Sequence, residues 1–85
     1  MKERRRAPRR RTFKGAQIVF NDGRSAIDCI VKDESEAGVL LKVESPVGVP
    51  DSFTLRHTSD GGANRSCRVV WRRTDKIGAA FEHTQ

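Results

Sequence analysis

The residues with the most distinctive chemistry fall in two places. Between two stretches of alternating apolar residues stands Asp33-Glu34-Ser35-Glu36-Ala37-Gly38, with a carboxylate, a hydroxyl close by and a terminal glycine that lets a ligand approach the main chain. An ionised carboxylate only accepts hydrogen bonds, so Asp33 can take the N1 and N2 hydrogens of a guanine. As an ordinary connection, the same segment needs only Asp and Ser side chains that bond nearby amides and a glycine that relieves strain. The second place is the N-terminus, Glu3-Arg4-Arg5-Arg6-Ala7-Pro8-Arg9-Arg10-Arg11. Each guanidinium is a planar fork that can grip a phosphate, stack on a base, or donate to guanine O6 and N7. Arm and loop are complementary to one guanine nucleotide, while the plain alternative for the arm is a solvated basic tail.

Charge separates these two places. In the chain of 85 residues, residues 1–14 hold eight Lys and Arg against one Glu, or +7, and the remainder holds nine against ten, or −1. The length suits one small domain with a thin core and excludes large catalytic architectures. The longest apolar run, Val39-Leu40-Leu41 after Ala37-Gly38, is far short of a membrane span. Arg9, Arg10 and Arg11 occupy the place where a secretory signal would be apolar, so the expected location is cytoplasmic. Cys29 and Cys67 read as small buried hydrophobes rather than a disulfide. Catalytic groups are few: there is no Tyr, and the only histidines are His57 and His83, both expected on the surface. Cys29, Cys67, His57 and His83 lack the short paired spacings of structural zinc, and no phosphate-loop or nucleophile-elbow motif occurs. The chain reads as neither an enzyme nor a metal or cofactor protein.

The elements that must hold the loop are strands. Residues 1–14 contain almost no large apolar side chain and read as a flexible arm, with the barrel over residues 15–85. Gln17 to Phe20 and Ala26 to Lys32 alternate around an Asn21-Asp22-Gly23-Arg24 hairpin turn, with Ile27, Cys29 and Val31 facing the core. Further strands are expected over Val39 to Val43, Ser52 to Thr58, Cys67 to Arg72 and Ile77 to Phe81, with an irregular Glu44 to Asp51 and a second turn at Asp60 to Asn64. Trp71 and the four Phe are mostly assigned to the core. No helical stripe of ten residues occurs, so the fold class is all-β: a small antiparallel barrel of about six strands. Closure also removes exposed sheet edges.

Arg5-x-x-x-Arg9 with Pro8, Asp33-x-Ser35-x-x-Gly38 between strands, Val69-Val70-Trp71, and Ile77-Gly78-Ala79-Ala80-Phe81 together resemble the PilZ domain family over nearly the whole chain. The resemblance implies a small antiparallel barrel whose N-terminal arm folds over cyclic di-GMP. By position it implies that Arg5 and Arg9 hold guanine faces and phosphates, and that Asp33, Ser35 and Gly38 hold base and sugar. Arg6 and Arg10, with the same spacing, are supporting candidates. The output would be ordering of the arm, read by a downstream protein. The loop departs from the family pattern at Glu34, where an apolar residue is common, and at Ala37, where a second glycine is. Glu34 and Glu36 add negative charge beside a site for a dianion. Two other readings follow: an adaptor that binds only protein because Glu34 spoils the pocket, and, ranked last, a nucleic-acid-binding barrel.

Overall fold

Short runs of alternating apolar and polar residues produce six strands, β1 (Arg10–Phe20), β2 (Ser25–Glu34), β3 (Gly38–Lys42), β4 (Ser52–His57), β5 (Arg65–Arg72) and β6 (Lys76–Phe81). They are seen in a computed structural model that describes residues 10–58 and 64–82. All pairings are antiparallel, and the order β1-β2-β3-β6-β5-β4 closes where β4 pairs with β1. No helix occurs among the described residues, and none is long and apolar enough to cross a membrane.

Each strand sends one fully buried side chain to the centre: Ile18, Val31, Leu41, Leu55, Cys67 and Ile77. Around them lie Ala16, Cys29, Val39, Val43, Val49, Phe53, Ala79 and Phe81. Full burial of a Leu or Ile side chain contributes about 1.5 to 3 kcal/mol, so this ring is the main stabilising element. Both cysteines are free thiols packed as hydrophobes. Burial pushes the Cys29 thiol up to about 12 and the Cys67 thiol up to about 11, so both stay protonated at neutral pH and are poor nucleophiles.

The first hairpin turns through Asn21 and Asp22, with φ of 54° and 55°, followed by Gly23 at 87°. The Gly23 amide donates to the Phe20 carbonyl at 3.1 Å. Two successive left-handed residues match the twist of the flanking strands, so the turn feeds β2 back along β1. The irregular Glu44 to Asp51 segment is pinned from outside. The Arg72 guanidinium donates to the Val49 carbonyl at 2.8 Å and to the Asp51 carboxylate at 3.1 Å.

Four expectations need correction. The first strand starts at Arg10, so residues 10–14 belong to the barrel rather than to the arm. Backbone pairing of Arg10 and Arg11 with Glu34 and Asp33 does not require apolar side chains. Trp71 is on the outside because Val70 is an extra residue in the ladder between Val69–Ala79 and Trp71–Gly78, which reverses the facing beyond it. Of the four Phe, Phe53 and Phe81 are buried and Phe20 packs half-buried on the core, while Phe13 is exposed. His57 follows Phe53 and Leu55 on the inward side and pairs with Ala16; its Nδ1 is buried with no hydrogen-bond partner among the described residues. Except for Asn64, the expected second turn lies outside the described residues.

Candidate functional site

The β2–β3 connection is tighter than a six-residue loop. Asp33 and Glu34 are the last residues of β2 and Gly38 is the first of β3, which leaves 35–37 as the turn. The Ser35 hydroxyl accepts from the amides of Ala37 at 3.1 Å and Gly38 at 3.3 Å, and the Ser35 amide donates to the Gly38 carbonyl at 2.9 Å. The turn is tied onward to the last strand, where the Phe81 amide donates to the Ala37 carbonyl at 2.9 Å. A Cβ on Gly38 would lie 2.2 Å from the Ala79 carbonyl oxygen. Glycine is needed here for the close approach of β3 to β6, a reason distinct from the ligand access that the sequence suggests. Ser35 and Gly38 therefore both have work within the fold.

Asp33 has none. The extra residue Lys32, between the Val31–Leu41 and Asp33–Leu40 pairs, turns Asp33 onto the outer face. Residues paired across antiparallel strands share a face, and the pairings Arg11–Asp33, Asp33–Leu40, Leu40–Gly78 and Gly78–Trp71 form one row across five strands. Among the described residues, Asp33 and Arg11 form no hydrogen bond or ion pair with a side chain, either with each other or with another residue. Every other described feature of this row is apolar or small. Gly78 lies under the Trp71 indole, since a Cβ there would be 2.3 Å from the ring's Nε1 and Cε2. The aromatic ring covers the glycine, a packing that stabilises a strand lacking a side chain. Trp71 remains 41 % exposed. With neighbouring strands about 4.8 Å apart, Trp71 stands three steps, or about 14 Å, from Asp33 along the sheet. Leu40 and the indole-covered Gly78 lie between them, with Ala80 and Gly38 in the adjoining row.

Glu34 lies on the opposite face from Asp33, the face of its buried partner Val39. Its carboxylate is 3.7 Å from the Lys14 ammonium, so part of its charge is offset on the inward side. The sequence alone placed this charge beside the site; the pleat turns it away. Glu36 is exposed on the turn. Arg5, Arg6 and Arg9 lie outside the described residues, and Arg10 is on β1 opposite Glu34. The structure brings Asp33, Ser35 and Gly38 together. It also sets Arg11 and Trp71 in the same row as Asp33, a placement the sequence did not reveal; Arg11 was hidden in a run of like residues, and Trp71 by a bulge with no glycine to mark it.

The PilZ domain family model matches residues 3–85, and the chain belongs to this family. PilZ domains are typically cyclic di-GMP-binding adaptor domains and generally non-enzymatic. Among solved structures, the chain is similar to the PilZ domain of CeSA from a cellulose synthesizing bacterium, with a TM-score of 0.74 and 15 % identity over 92 % of this chain and 83 % of that one. At that identity the likeness shows the shared barrel fold. No curated protein matches the chain.

Proposed function

We propose that this PilZ domain is a cytoplasmic, non-enzymatic receptor for the bacterial second messenger cyclic di-GMP. Arg5 and Arg9 of the N-terminal segment close the ligand against Asp33, Ser35 and Gly38. The observation that carries the reading is Asp33: a half-buried carboxylate on the outer face, unpartnered among the described residues, at the end of an apolar row that runs through Leu40 and Gly78 to Trp71. A fold gains nothing from such a group, whereas a guanine edge gains two hydrogen bonds from it. The guanidinium groups supply the charge that a dianion requires. Fixing the N-terminal residues over the ligand costs about 1 to 2 kcal/mol per residue in backbone entropy. Closure is consequently sensitive to ligand, and the closed arm is the surface that a downstream protein reads.

Calorimetric titration with cyclic di-GMP tests this, with Arg9→Ala and Asp33→Ala as controls. Saturable heat with the native chain and its loss in both variants supports the reading; no heat at high micromolar ligand sinks it. One observation favours a second reading, a single-stranded nucleic acid, because Phe13 and Trp71 offer exposed rings in a chain whose N-terminal sequence is strongly basic. Such binding would weaken steeply with salt and would be indifferent to Asp33→Ala.

A further inference from the structure

Two irregularities meet at one point of the barrel wall. Between the Arg11–Asp33 and Lys14–Val31 pairs, β1 carries two residues, Thr12 and Phe13, where β2 carries only Lys32. Lys32 is itself the extra residue of β2 against β3. The Thr12 hydroxyl turns in to donate to the Val31 carbonyl at 2.6 Å, which anchors the bulge. Phe13 is thrown outward and is 74 % exposed, in contrast to Phe53 and Phe81 in the core. The Lys32 ammonium stands 5.4 Å from the centre of the Phe13 ring. Arg11 lies two residues from Phe13 on β1, directly opposite Asp33. A ring, two cations and the carboxylate are thus grouped on a rigid wall by paired bulges, devices that re-aim side chains.

We infer that Arg11, Phe13 and Lys32 form a barrel-borne extension of the nucleotide site, with Phe13 stacking on a purine and Arg11 and Lys32 flanking the attached phosphate. The inference rests on the reading of the protein as a cyclic di-GMP receptor. Its chemistry is that of a purine nucleotide: a flat apolar face joined to an anion, matched by an aromatic ring within reach of cations. Because these groups sit on strands β1 and β2, the barrel itself holds them in position.

The test is calorimetric titration of the full chain with cyclic di-GMP at two salt concentrations, for the native protein and for Phe13→Ala, Phe13→Trp, Arg11→Ala and Lys32→Ala. The expected result is an affinity loss of about tenfold for Phe13→Ala, the scale of one base–aromatic stack, and near-native affinity for Phe13→Trp. Arg11→Ala and Lys32→Ala each weaken binding several-fold and flatten its salt dependence. Unfolding curves of the variants should overlay the native one, since all three side chains lie on the outer wall. If the native chain binds and Phe13→Ala, Arg11→Ala and Lys32→Ala all bind within twofold of it, the extension is overturned while the receptor reading stands. If the native chain shows no heat, the receptor reading fails and the extension fails with it.

Discussion

Asp33 and the Ser35–Gly38 turn belong to one short motif but answer to different demands. Ser35 holds two amides of its own turn, and Gly38 leaves room for the Ala79 carbonyl. These roles belong to the barrel itself. Asp33 has been rotated outward by the Lys32 bulge and left without a side-chain partner among the described residues. On the proposed reading, one motif combines residues that build the platform, Ser35 and Gly38, with a residue, Asp33, kept for the ligand. Substitutions should separate the two kinds.

The largest effect on stability is expected at Gly38→Val. Its Cβ would meet backbone 2.2 Å away, so β3 and β6 must separate to admit it. A loss of about 3 kcal/mol, at the upper end of overpacking costs, should appear in urea unfolding. A loss under about 0.5 kcal/mol would mean that the motif glycine is not a structural requirement. Ser35→Ala should cost less, about 1 kcal/mol, because the amides of the exposed turn can turn to water. Asp33→Ala should leave the unfolding midpoint unchanged within about 0.5 kcal/mol, as expected for a side chain with no interaction to lose. A clear destabilisation by Asp33→Ala would break the comparison.

The smallest effect concerns Glu34. Its carboxylate shares the inward face with Val39 and approaches Lys14, so it points away from a ligand over Asp33 and part of its charge is offset. Glu34→Leu should shift cyclic di-GMP affinity by less than about threefold, the size of a weak screened interaction. A gain of tenfold or more would restore the reading in which Glu34 spoils the pocket.

The barrel was legible because alternation in Ile27-x-Cys29-x-Val31 and Phe53-x-Leu55 directly encodes which side faces inward. The Asn21-Asp22-Gly23 turn was legible because few residue types tolerate positive φ. What escaped were features made by backbone pairing. Arg10 and Arg11 join β1 through main-chain hydrogen bonds that any side chain permits. The extra residues Lys32 and Val70 change the facing of Asp33 and Trp71 without a sequence signature. The motif itself was visible, but its division of labour was not, because hydroxyl acceptance by Ser35 and the close approach at Gly38 depend on neighbours distant in sequence. Phe13 shows the same limit: the sequence placed it in the arm of residues 1–14, and a bulge in β1 set it on the barrel wall.

The most direct measurement pairs binding and folding for a single substitution. Native protein and Asp33→Ala are titrated with cyclic di-GMP by calorimetry and unfolded in urea under the same conditions. The account predicts that the native chain binds, that Asp33→Ala loses at least tenfold in affinity, and that their unfolding curves superimpose. No binding by the native chain, or equal binding by both proteins, would contradict it.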